Sequence, residues 1–224
     1  MKEESIHKFE KPSVTVDIVV FTIQEGKLKV LLIKRELEPF KGRWAIPGGF
    51  VRIHESLDDA AKRELKEETG VEDVYLEQLY SFGNPGRDPR GRVITISYMA
   101  LINLGNVKIR AASDASSAGW FEVSKIPALA FDHKKILDYA VKRLRWKFEY
   151  TTAAFSMLAE EFTISQVQNL YETVFGKKFD KRNFSKKILS LGILKEGRIN
   201  QDVPHRPPML YSLKAGIGEI VGIL

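Results

Sequence analysis

Gly49-Phe50-Val51-Arg52-Ile53-His54-Glu55-Ser56-Leu57-Asp58-Asp59-Ala60-Ala61-Lys62-Arg63-Glu64-Leu65-Lys66-Glu67-Glu68-Thr69-Gly70-Val71 is the stretch around which the rest of the chain is organised. Pro47-Gly48-Gly49 breaks both helix and strand, so a loop is expected at the entry. From Ser56 to Thr69 the residues favour a helix. Ser56 is placed to cap it, Asp58 and Asp59 fall in its first turn, and Gly70 is placed to stop it. On such a helix Glu67 and Glu68 lie three and four residues after Glu64, so three carboxylates share one face.

Like charges at this spacing repel by a few tenths of a kcal/mol per pair at an exposed site. The carboxylates alone allow two readings. One is a solvated acidic face partnered by Arg63 and Lys66. The other is a face that holds a hard divalent cation, Mg²⁺ or Mn²⁺, whose preferred ligands are carboxylate oxygens. The full spacing from Gly49 through Glu55, Arg63-Glu64, Glu67-Glu68 and Gly70-Val71 resembles the Nudix box and meets every fixed position of it. That resemblance implies Glu64, Glu67 and Glu68 as metal ligands, with Arg63 orienting them. It also implies a carboxylate as base for water, on a diphosphate whose charge the metal neutralises. Glu55, at the entry to the helix, reads either as an outer ligand or base or as a helix-terminal carboxylate. Gly48 and Gly49 read as close backbone approach to substrate or as an ordinary turn.

The chain of 224 residues is 44% hydrophobic and 29% charged, a globular composition sufficient for one large or two modest domains. It has no cysteine, which excludes disulfides and thiolate metal sites. No apolar run approaches the ~18 residues needed to span a bilayer, and the charged segment Met1–Lys11 has no apolar signal core. A cytoplasmic protein with no membrane partner is the expectation. Net charge is +6, but it is unevenly spread. Met1 to Ala130 carries 19 Lys and Arg against 19 Asp and Glu, and Phe131 to Leu224 carries 16 against 10. A surplus confined to the C-terminal part suits a polyanion partner, or simply a soluble basic domain.

Strands are expected over Val14–Ile23, Lys27–Lys34, Val74–Phe82 and Val93–Ile102, with a short one at Gly119-Trp120-Phe121. Loops are expected at Glu36–Arg43, Gly83–Arg92 and Ser113–Ser117. The fold class is α/β, a Nudix α/β/α sandwich with a mixed sheet over about Val14 to Ala130. Phe131 to Phe148 then has helical spacing (Ile136, Tyr139, Ala140, Arg143, Leu144, Phe148) and links this domain to a C-terminal one. Thr163 caps one helix and Asp180 a second, Lys181–Leu191, with Phe184, Ile188 and Leu191 inward. Leu194–Asn200 and Met209–Leu213 can pair around a proline-rich loop. Helix, turn, helix and hairpin is the order of a winged helix-turn-helix domain. The expected division is 1–148 and 149–224.

Arg87, Arg90 and Arg92 crowd the Gly83–Arg92 loop. Arginine pairs phosphate bidentately, so they are candidate substrate-binding residues beside Gly48 and Gly49. A flexible basic surface loop is the other reading, and Tyr80 and Phe82 are either adenine-stacking residues or core. The loop resembles one in ADP-ribose-binding Nudix proteins. His7, His54, His133 and His205 are dispersed, and none reads as a metal ligand. In the C-terminal module Arg182, Asn183, Ser185 and Lys186 are candidates for base and phosphate contact, with Arg206 at the wing tip. A protein-interaction surface is the alternative.

The whole chain resembles the Nudix-related transcriptional regulators of NAD metabolism (NrtR). The resemblance rests on Leu129–His133, Phe162–Gln166, Asp180–Phe184 and Arg206–Tyr211. It implies a homodimer that binds double-stranded operator DNA and senses ADP-ribose or a related nucleoside diphosphate derivative. Many members have a degenerate box, whereas the box here is intact. Two functions are therefore expected. One is an Mg²⁺-dependent pyrophosphatase on ADP-ribose. The other is a ligand-responsive DNA-binding regulator, and the two can coexist. The alternative is a dedicated hydrolase whose C-terminal domain serves dimerisation or protein contact, or a regulator of a sugar pathway without hydrolysis.

Overall fold

The computed structural model describes residues 10–106, 115–199, 208–216 and 220–224. Strand β1, Ser13–Gln24, is buried on both faces, with Val16, Ile18 and Val20 on one and Val19 and Phe21 on the other. Such a near-continuous apolar run is what a sheet covered on both sides requires. Glu25 and Gly26, both at positive φ (55° and 68°), turn the chain into β2, Lys27–Arg35, as the twist of a two-residue hairpin demands. β3 is Trp44–Ala45, β4 Gly48–Phe50, β5 Tyr75–Phe82, β6 Val93–Leu101 and β7 Ala115–Glu122. The sheet runs β3-β2-β1-β6-β5, with β7 also paired to β2 and β4 to β1. β1 and β6 are parallel and the other pairs antiparallel, so the sheet is mixed as expected.

Gly48 and Gly49 correct the loop expectation. They lie in β4, opposite Asp17 and Val16 of β1. A methyl at Gly48 would strike the backbone carbonyl of Val16, so glycine here permits strand contact rather than a turn.

Helix α1, Leu57–Thr69, is capped by the Ser56 hydroxyl, which accepts from the Asp59 amide at 3.1 Å, and ends at Gly70 with φ 73°. Such a cap contributes about 1 kcal/mol. Ala60, Ala61 and Leu65 pack on Val16, Ile18 and Val20. Burying Leu65 alone is worth about 2 kcal/mol. Helix α2, His133–Tyr150, covers the opposite face through Ile136, Leu137, Ala140, Leu144 and Phe148. It begins two residues later than expected because Phe131 has φ 50°, which no right-handed helix allows.

After a 3₁₀ turn at Thr152–Met157 comes α3, Ile164–Phe175, with Thr163 and Gln166 forming a capping box. Gly176 ends it at φ 66°, and α4, Lys181–Ser190, starts from the Asp180 cap. The hairpin β8 (Leu194–Ile199) and β9 (Met209–Leu213) completes a winged helix. Its core of Val167, Leu170, Tyr171, Val174, Phe184 and Ile188 is continuous with the core beneath α2. The Tyr171 hydroxyl donates to the Phe148 carbonyl at 3.0 Å, and Arg145 Nε donates to the Val174 carbonyl at 3.1 Å. Among the described residues no helix is long and apolar enough to cross a membrane.

Candidate functional site

A cavity of about 490 Å³ opens where α1, β4, the loop before β6 and the start of α2 converge. One side of α1 supplies Arg63, Glu64, Glu67 and Glu68 to it, so the helical spacing does bring these groups to one face. Arg63 is the organiser. Its Nε and Nη2 donate to Glu55 at 2.8 and 2.5 Å, and its Nη1 donates to Glu64 at 2.6 Å and Glu67 at 3.1 Å. Its remaining Nη2 bond reaches the Phe50 carbonyl at 3.2 Å, which ties α1 to β4. The hydrogen bond from Arg63, aided by the Arg52 amide and opposed by desolvation, lowers the Glu55 pKa to about 2.

Glu68 differs. It is 8% exposed and accepts from the Gly48 amide at 2.7 Å, with no ion pair among the described residues. Burial, and then the charges of Glu64 and Asp17, push its pKa up to about 8 despite that amide. Burial raises Glu64 as well, against the pull of Arg63. Gly49 packs so close to the Glu64 carboxylate that a methyl there would collide with it.

A second group lies behind this face. Arg87, 8% exposed, donates from Nη2 to Asp17 at 3.2 Å and grips Asp132 through Nη2 at 2.9 Å and Nε at 3.2 Å. His133 accepts from the Ile46 amide on Nδ1 at 2.9 Å, leaving the proton on Nε2, 3.6 Å from Asp17. Burial lowers its pKa, so the ring is neutral. Arg90 is paired side-on with Asp88, at 3.0 and 2.7 Å. Arg35 donates to the carbonyls of Pro39 (2.9 Å) and Leu37 (3.3 Å) and forms no ion pair among the described residues.

The loop arginines therefore divide. Arg87 and Arg90 line the cavity, but carboxylates occupy their donor edges. Arg92 is not among the lining residues and donates to the Gly83 carbonyl at 2.6 Å. Tyr80 and Phe82 are also outside the cavity. They meet Tyr139 of α2 at ring separations of 4.9 and 6.0 Å. Arg35, Asp17, Asp132, His133 and Phe131 were not legible as site residues, because they lie on β2, on β1 and at the start of α2, which meet only in the folded chain.

Among the described residues, no three His, Cys, Asp or Glu side chains converge as a preformed cation cage. The donor chemistry nevertheless fits a hard divalent cation. Seven carboxylates against five arginines line the cavity, an excess of negative charge that repels a diphosphate until a cation offsets it. Buried Glu68 and half-buried Glu64 have their charged forms disfavoured, which a bound cation would reverse.

In the winged helix, Arg182, Asn183 and Lys186 are exposed on α4 and Ser185 is half-buried, while Phe184 and Ile188 face inward. Arg206 lies outside the described residues, as does the loop around it.

The NUDIX domain model matches residues 11–140, and the NrtR DNA-binding winged helix domain model matches residues 154–213. The chain is 36% identical over 207 residues to the ADPR responsive transcriptional repressor NtrR of Acinetobacter baylyi, covering 91% of this chain and 82% of that one. It is 41% identical over 151 residues to the ADP-ribose pyrophosphatase of Methanocaldococcus jannaschii, covering 66% and 83%. The crystal structure of Shewanella oneidensis NrtR complexed with a 27mer DNA superposes with a TM-score of 0.77 at 34% identity, over 90% of this chain and 93% of that one. The chain belongs to the Nudix family, in the NrtR group that joins a NUDIX domain to a DNA-binding winged helix domain.

Proposed function

We infer that this protein is a DNA-binding transcriptional regulator that responds to ADP-ribose, and that its intact carboxylate face also hydrolyses the diphosphate of ADP-ribose or a related nucleoside diphosphate derivative. The observation that carries this reading is the convergence of an Arg63-ordered carboxylate face with the start of α2, whose other end packs on the winged helix. Both activities occur among the relatives, the Acinetobacter protein being named a repressor and the Methanocaldococcus protein a pyrophosphatase.

In this mechanism Glu64, Glu67 and Glu68 would hold Mg²⁺ or Mn²⁺, and the cation would supply neutralisation of diphosphate charge and activation of water. Arg63 fixes Glu64 and Glu67 before substrate arrives, so no reorganisation is needed at the moment of reaction. Glu68 is placed instead by the Gly48 amide, from the β4 side of the face. Arg35, whose side chain donates to the carbonyls of Pro39 and Leu37, supplies positive charge to the diphosphate. Arg182, Asn183, Ser185 and Lys186 contact DNA, with Arg206 as a further candidate contact. A cytoplasmic homodimer acting in NAD metabolism, divided into residues 1–148 and 149–224, completes the reading. α2 continues to Tyr150 across that boundary.

The test pairs a gel shift, using DNA upstream of the protein's own operon with and without ADP-ribose, with turnover of ADP-ribose and Mg²⁺. Release of DNA by ADP-ribose together with turnover is expected. Turnover with no DNA binding would leave a dedicated pyrophosphatase, the second reading, which the complete carboxylate face favours.

A further inference from the structure

Among the described residues, three of the four α-helices begin on a side chain that caps them, and α2 does not. Ser56, Thr163 and Asp180 are extended (ψ 165°, 156° and 123°), and each side chain accepts from the amide three residues on. Asp132 stands at the same position of α2 and is of a residue type that caps well, yet its ψ is 19° and its carboxylate does not cap the helix. The Lys135 amide, which that carboxylate would take, donates to the Asp132 carbonyl at 2.8 Å instead. The carboxylate is turned to Arg87, which holds it at 2.9 and 3.2 Å and reaches Asp17 of β1 with the same Nη2. Phe131, the residue before it, sits at φ 50°, a conformation that a bulky L residue keeps only where its surroundings impose it. Arg87 and Asp17 line the cavity, and Asp132 does not. Thr15, on the same face of β1 as Asp17, also lines it, and its buried hydroxyl has no hydrogen-bond partner among the described residues. A polar ligand atom suits that end of the cavity.

We propose that Asp132 is a two-position switch at the root of α2. In the position seen here Arg87 holds its carboxylate. In the other, a phosphate of the ligand takes Arg87, and the carboxylate swings onto the Lys135 amide and caps α2. This rests on the reading of the cavity as a site for ADP-ribose or a related nucleoside diphosphate derivative. Guanidinium pairs phosphate as readily as carboxylate, so the exchange at Arg87 is of like for like. The carboxylate that leaves does not go unpartnered, because a helix N-terminus favours negative charge and its first amides need acceptors. The backbone must follow, since a capping residue is extended: the ψ of Asp132 turns from 19° toward the values at Ser56 and Thr163, which re-aims the first turn of α2. A ligand shifts such an equilibrium only by its differential affinity for the two positions, and Arg87 supplies that difference. Because the ligand is read as releasing DNA, the position latched to Arg87 is the one that binds DNA.

Asp132→Asn and Asp132→Ser keep a capping group and remove the charge that Arg87 holds. On the full chain, in a gel shift at fixed salt with DNA upstream of the protein's own operon, both should bind about fivefold or more weakly without ligand. In calorimetry with Ca²⁺ in place of Mg²⁺, both should bind ADP-ribose more tightly by a similar factor, because the ligand no longer has to break the latch. A packing defect alone would instead lower the two affinities together. Arg87→Ala also frees Asp132 but removes the partner of the phosphate, so DNA binding should fall with no gain in ADP-ribose affinity. Unchanged DNA affinity in both Asp132 variants overturns the switch, and so does ADP-ribose affinity that is equal or weaker in both. Where ADP-ribose still releases DNA from the wild type, either result removes the switch alone. A wild type whose DNA affinity ADP-ribose leaves unchanged removes the ADP-ribose reading and the switch with it.

Discussion

At the scale of single residues the two adjacent glycines make separable predictions. A methyl at Gly48 meets β1 backbone, and one at Gly49 meets the Glu64 carboxylate. Gly48→Ala should therefore lower the melting temperature markedly, since backbone must move. Gly49→Ala should leave the melting temperature within a few degrees and reduce turnover, because a side chain can yield but the carboxylate then leaves its place. Thermal denaturation beside a rate assay separates them, and the reverse pattern would contradict the packing described. Glu68→Gln keeps an acceptor for the Gly48 amide and the size of the buried side chain, so the fold should persist. Outer partners of metal ligands alone are worth 10–100-fold, so turnover should fall by about 100-fold or more. Turnover within a few-fold of wild type would exclude Glu68 as a metal ligand. Helical spacing made the carboxylate face legible, because 3.6 residues per turn is local geometry. The donor edges of Arg87 and Arg90 were not legible. Asp17 and Asp132 lie 70 and 45 residues from Arg87, and nothing local in the sequence announces those pairs.

At the scale of elements the turn between α3 and α4 hangs on one side chain. Glu172 accepts from Lys178 at 2.5 Å, the Phe179 amide at 3.1 Å and Gln168 at 2.9 Å. Those bonds, the Lys178 one foremost, lower its pKa to about 2. A depressed carboxylate contributes stability that is present above its unfolded pKa and lost as pH falls through the folded one. The melting-temperature gap between wild type and Glu172→Ala should therefore be full at pH 7 and close between pH 4.5 and about 2. A gap that is constant over that window would show that the ionised carboxylate is not what holds the turn. Because this turn sets the angle of α4, Glu172→Ala should also weaken DNA binding without changing ADP-ribose affinity, as Arg182→Ala should by direct loss of contact. Gel shift and calorimetry on the same preparations check both. The caps at Ser56, Thr163 and Asp180 and the stop at Gly70 were readable, since capping is local hydrogen-bond chemistry. The strand at Gly48–Phe50 was not, because its pairing comes from β1 rather than from its own propensity.

At the scale of the whole molecule the NUDIX and winged helix parts share one apolar core through α2. Sequence patterning located both parts but carried no sign of the shared core, since Phe148 read only as part of its own helix and nothing local tied it to Tyr171, 23 residues on. If DNA and ADP-ribose bias the same arrangement of these parts, each must weaken the other's binding by an equal factor. Titrations of DNA affinity with ADP-ribose, and of ADP-ribose affinity with DNA, at fixed salt and in Ca²⁺, should return the same ratio. Unequal ratios, or none, would break the link. The shape of α2 bears on how small a movement suffices. Its 18 residues make a rigid rod about 27 Å long, pinned at one end where Phe131, Asp132 and His133 touch three different walls of the cavity. A rod of that length multiplies: a tilt of about 5° at the pinned end sweeps the far end through about 2 Å. Two ångströms is more than a hydrogen bond to a base edge tolerates, so a reading head on this lever loses its place on DNA while the cavity itself has hardly moved.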